Sequence, residues 1–69
     1  MLLAQTETLK STIELHDEGA SYVVKAINCR TGMYHYEAYC DSRGDAYATF
    51  KLMACRILEN EEDDHAVNP

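Results

Sequence analysis

Residues 21–58, SYVVKAINCRTGMYHYEAYCDSRGDAYATFKLMACRIL, read as a β-hairpin running straight into one amphipathic helix. Both hairpin arms are rich in Val, Ile and Tyr, which suit a pleated, half-buried surface. The arms are expected over 21–29 and 33–40. Between them Arg30-Thr31-Gly32 turns the chain, with Gly32 suited to the left-handed position of a short loop. A register that sets Lys25 opposite Glu37 makes a favourable cross-strand charge pair. It places Tyr22, Val24 and Ala26 on one face with Tyr36, Ala38 and Cys40. The other face then carries Val23, Lys25 and Ile27 with His35, Glu37 and Tyr39. A one-residue slip would break the charge match and exchange the faces.

The helix is expected to begin after Ser42, whose hydroxyl can cap it, with Asp45 placed to favour the dipole. Arg43-Gly44-Asp45 spells an adhesion tripeptide, but here it reads as helix-start chemistry. On the helical wheel Met53, Ala46, Ile57, Phe50, Ala54, Tyr47 and Leu58 share an arc of about 140°, the core stripe. Asp45, Arg56, Thr49 and Asn60 point away from it. Ala48, Leu52 and Cys55 lie between, an apolar patch that one sheet would not cover and a candidate dimer face.

Upstream, TETLKSTIELH over 6–16 alternates, with Leu9, Ser11, Ile13 and Leu15 on one side. The period of two favours a strand. A helix also fits, since Leu2, Leu9 and Ile13 fall at helical spacing and Gly19 suits a C′ position. Asp17-Glu18-Gly19 makes a turn. The expected fold class is therefore α+β: a three-stranded antiparallel β-β-β meander with one C-terminal helix on one face. It forms a single domain over 1–60, followed by an acidic, disordered tail over 61–69.

Sixty-nine residues allow at most one domain, and a core this small needs supplementing. No apolar run is long enough to span a membrane, and the first ten residues have no basic region of a signal peptide. A cytoplasmic location is expected. The three cysteines, Cys29, Cys40 and Cys55, lack zinc-ligand spacing. Cys29 lies near the hairpin tip and Cys40 at its far end, roughly 30 Å away at about 3.3 Å per residue. Reduced thiols follow, and oligomerisation is the supplement best matched to the chain.

Twelve acidic residues against six basic ones give a net charge of −6. That balance argues against direct nucleic-acid binding, which needs clustered Lys and Arg. His16-Asp17 and His35 with Glu37 offer acid–base pairs, yet no catalytic or phosphate-loop motif accompanies them. The chain is read as non-enzymatic, with no cofactor and no metal. Five tyrosines and no tryptophan point instead to an interface, because tyrosine is favoured at protein contacts. Val23, Ile27, His35, Glu37 and Tyr39 form a half-apolar face that the helix is not expected to cover. Glu59, Glu61, Glu62, Asp63 and Asp64 form an acidic cluster suited to a basic groove on a partner.

The β-β-β-α order, with Ser42, Ala46 and Ala54 at the helix start and along it, resembles the carboxy-terminal part of double-stranded-RNA-binding domains. That family carries lysines where this chain has Arg43-Gly44-Asp45, so the resemblance extends to the scaffold and not to RNA binding. In size, charge and compact α+β form the chain also resembles small acidic inhibitors encoded by phages and mobile elements, the anti-CRISPR proteins among them. That resemblance implies a host-cytoplasmic protein that blocks a nucleic-acid-handling protein complex at its basic surface, as a nucleic-acid mimic. The acidic residues and exposed tyrosines would then occupy the partner's nucleic-acid site. The alternative expectation is a self-assembling accessory subunit, a homodimer through the sheet face or the Ala48/Leu52/Cys55 patch.

Overall fold

Four strands, not three, make the sheet: β1 (Leu2–Glu7), β2 (Ser11–Asp17), β3 (Tyr22–Asn28) and β4 (Tyr34–Cys40). They pair antiparallel in chain order, and one helix, α1 (Arg43–Val67), follows. The computed structural model describes the chain from Met1 to Val67, with side chains as far as Glu61.

The segment expected as one strand over 6–16 holds the end of β1, the β1–β2 turn and most of β2. Alternation holds only from Ser11 onward: Ile13 and Leu15 are fully buried, whereas Leu9 is 78% exposed at a turn. Thr8 makes that turn with its own side chain. Its N–H donates to the Ser11 carbonyl at 2.8 Å, and the Ser11 N–H donates back to Thr8 Oγ1 at 3.1 Å. Threonine hydroxyls form such local turns without glycine or proline. The remaining donors are met by Glu61 of α1. Its carboxylate accepts from the Thr8 hydroxyl at 2.7 Å, the Leu9 N–H at 2.8 Å and the Lys10 N–H at 3.2 Å.

The other hairpins follow their turn chemistry. Gly19 and Gly32 both have positive φ, 91° and 74°, in the region where a Cβ is disfavoured. Asn28 Oδ1 accepts from the Arg30 and Thr31 N–H groups, and Gly32 N–H donates to the Asn28 carbonyl at 2.8 Å. Lys25 pairs with Glu37, and the expected register holds from Tyr22↔Cys40 to Ala26↔Tyr36. There it shifts, with Ile27 opposite Tyr34, so that His35 is the extra residue of a β-bulge. The bulge turns His35 away from the face assigned to it in sequence and onto the helix side. Its Nε2 lies 3.0 Å from the Oγ of Ser11, a core-side residue.

α1 packs on that side. Ile13, Leu15, Val24 and Ala26 of the sheet meet Ala46 and Met53 of the helix, flanked by Tyr47, Phe50, Ala54 and Ile57. Of the expected stripe, Leu58 alone is exposed. The buried arc is rotated slightly toward Thr49, which was expected to point away but is half-buried and accepts from the Cys40 thiol at 3.5 Å. Ser42 caps as expected, its Oγ accepting the Asp45 N–H at 3.1 Å and its carbonyl the Ala46 N–H at 3.0 Å. The helix continues through the acidic stretch to Val67. Glu61, placed in sequence at the start of a tail, is half-buried against the β1–β2 turn. The side chains of Glu62, Asp63 and Asp64 lie outside those described.

Candidate functional site

With α1 on one side, the other face of the sheet is left open, and register sorts it into three cross-strand rows. The first runs Leu2, His16, Val23, Tyr39. The second runs Gln5, Glu14, Lys25, Glu37, and the third Glu7, Thr12, Ile27, Tyr34. Neighbours within a row stand close enough for their side chains to interact.

Val23 was expected to be a contact residue of this face, but it is only 2% exposed. It lies between His16 and Tyr39, whose larger rings shelter it from either side. So buried, it offers a partner almost no surface. Ile27 is half-buried between Thr12 and Tyr34 in the same manner. The rings themselves stand out: Tyr39 is 68% exposed and Tyr34 59%. Tyr34 enters the face because the bulge removes His35 from it, and Lys25 Nζ sits 5.3 Å from its ring centroid, a cation–π contact.

Three carboxylates, Glu7, Glu14 and Glu37, share the face with one ammonium, Lys25. Two of the three are held by neighbours. Glu14 Oε1 lies 2.8 Å from His16 Nε2, and the Tyr39 hydroxyl donates to Glu37 Oε1 at 3.0 Å. These pairs fix the direction of the carboxylates while leaving further lone pairs for an incoming donor. The same bond, together with the Glu37 charge, raises the Tyr39 phenol above its ordinary value of 10.0. Slight loss of hydration and the Glu18 charge add to this. In an absorbance titration of phenolate, Glu37→Gln is expected to lower the Tyr39 transition toward the ordinary value. An unmoved transition would mean that the Glu37 contact does not hold in solution.

The remaining residues singled out in sequence are scattered. Glu59 is exposed on α1, and Glu61 has its carboxylate engaged within the fold. Ala48, Leu52 and Cys55 are exposed on the helix, away from the open face. Cys29, Cys40 and Cys55 are free thiols. Among the described residues no three His, Cys, Asp or Glu side chains gather to hold a metal ion, and no helix is long and apolar enough to cross a membrane. Glu7, Glu14 and Tyr34 were not singled out in sequence. Glu14 was legible there, since it alternates with the inward Ile13 and Leu15; Glu7 and Tyr34 depend on β1 and the bulge. Compared with known proteins, the chain matches no family model, no curated protein and no solved structure.

Proposed function

We propose that this chain is a non-enzymatic inhibitor or regulator that binds a basic surface of a nucleic-acid-handling protein through its open sheet face. One observation carries the reading: Glu7, Glu14 and Glu37 share with exposed Tyr34 and Tyr39 a face that α1 leaves bare. Carboxylates gathered on one face complement a surface built to grip phosphates, and such complementarity speeds encounter and sets specificity. The tyrosine rings supply contact area with few rotatable bonds to immobilise. Stoichiometric blockade of this kind is the mode of action that the likeness to anti-CRISPR proteins implies, with Glu59, Glu62, Asp63 and Asp64 as a second acidic element.

Affinity capture from cell lysate at low and high salt, with partners identified by mass spectrometry, tests the reading. The intact chain is expected to retain a nucleic-acid-handling protein that is released by salt. Glu14→Lys combined with Glu37→Lys should abolish retention, and charge reversal at Glu62, Asp63 and Asp64 should weaken it. Retention unaffected by the face variant would overturn the assignment of the face. Recovery of the chain alone, with concentration-dependent sedimentation, would replace it with a homodimer through exposed Ala48, Leu52 and Cys55.

A further inference from the structure

The second surface of interest lies on the opposite side of the sheet and is independent of the open face. Beside the bulge, the middle of α1 and the strands border a cleft of about 480 Å³. That volume is within the range of small-molecule sites. Leu52, Met53, Ile57 and Tyr36 give it an apolar wall, and Lys10, Arg56 and His35 line it with them. His35 is held at the wall by its bond to Ser11, a side chain only 3% exposed. The bulge therefore brings an imidazole to the cleft that a regular strand would have sent to the other face.

The charge here runs against that of the chain. In a protein of net charge −6, this wall carries two cations, Lys10 and Arg56. Among the described residues Glu61 is the only carboxylate lining it, and both its oxygens are occupied: Oε1 by the Leu9 N–H, Oε2 by Thr8 and Lys10. Among the described residues, two cations against one carboxylate leave a single positive charge. An amphipathic monoanion balances that charge, while a phosphate dianion would exceed it.

We infer that this cleft binds a small amphipathic carboxylate, its head group held by Arg56 and Lys10 and its apolar body lying on Leu52, Met53, Ile57 and Tyr36. A carboxylate accepts charge-assisted hydrogen bonds from both cations, and the guanidinium presents the better fork. The apolar body removes exposed Leu52 from water, which drives association without a further polar contact.

Amide-resolved NMR titration of the full chain with sodium octanoate, and with octyltrimethylammonium as the cationic counterpart, tests the inference. Octanoate is expected to shift amides near 10–11, 35–36 and 52–57 saturably. The cationic counterpart should bind at least about tenfold more weakly. Arg56→Gln and Lys10→Gln, both at exposed positions, should each weaken octanoate roughly five- to tenfold while the amide spectrum stays dispersed. Absence of saturation, equal binding of the cationic probe, shifts centred on the open face, or unchanged affinity in both variants would each overturn it.

Discussion

Leu15→Ala is expected to remove a large share of the molecule's stability, whereas Leu9→Ala leaves it nearly unchanged. Leu15 is fully buried, between the paired strands and α1. Truncating such a side chain removes its transfer free energy and leaves a cavity, at a cost of about 2–5 kcal/mol. A domain of this length has roughly 3–10 kcal/mol of stability at ordinary values per residue, so the loss is a large share of the total. Leu9 occupies the same phase of the alternating pattern in sequence, yet it projects into water at the β1–β2 turn. Its truncation should cost within about 0.5 kcal/mol. Urea denaturation followed by circular dichroism compares the two directly. Equal costs would contradict the placement of the turn at Thr8–Lys10 and restore a single strand through Leu9.

Glu61→Ala is expected to cost about 2 kcal/mol. The alanine variant removes the acceptor for one hydroxyl and two backbone N–H groups. Hydrogen bonds to a charged group contribute about 1.5–3 kcal/mol each when sheltered. Here two of the three are exposed, and water replaces part of what is lost. Glu61→Gln, which keeps acceptor and length but not charge, should recover part of the difference. Hydrogen exchange gives the local signature: the Leu9 and Lys10 amides lose protection in the alanine variant, while the β3–β4 ladder keeps its own. Unchanged protection at Leu9 and Lys10 would show that the turn stands without the helix.

These two sites also mark where sequence reasoning reached the fold and where it stopped. Local signals sufficed for β3, β4 and the helix start, because Gly32, the Lys25–Glu37 pair and Ser42 act on neighbours a few residues away. They sufficed for the core stripe too, since a 3.6-residue period rests on one helix alone. They failed at the first hairpin. Leu2–Glu7 holds a single β-branched residue, Thr6, and Thr8-Leu9-Lys10 has none of the usual turn formers. Its stabilising acceptor comes from Glu61, more than fifty residues on, which no local window contains. The bulge failed to show for a related reason. Lys25–Glu37 fixes the register on one side of it, and only the β3–β4 pairing as a whole shows that His35 is the extra residue.

The candidate face was legible as a principle and altered in membership. One sheet with one helix leaves one face uncovered whatever the details, so Glu37 and Tyr39 stand where the alternation puts them. Val23 is sheltered because its row neighbours, His16 of β2 and Tyr39 of β4, are larger than itself. His35 leaves the face and Tyr34 joins it through one inserted residue.

The order of elements has a consequence for synthesis. Each strand pairs with the one made just before it, so the meander can assemble as it leaves the ribosome. The apolar side of that sheet, with Ile13, Leu15, Val24 and Ala26, is covered only once α1 has emerged. Until α1 docks, the sheet shows a bare hydrophobic side and two unpaired edges, the species that chaperones bind and that neighbouring chains can extend. A change that delays docking of α1 should therefore lower the yield of native protein, although nothing in the finished molecule changes.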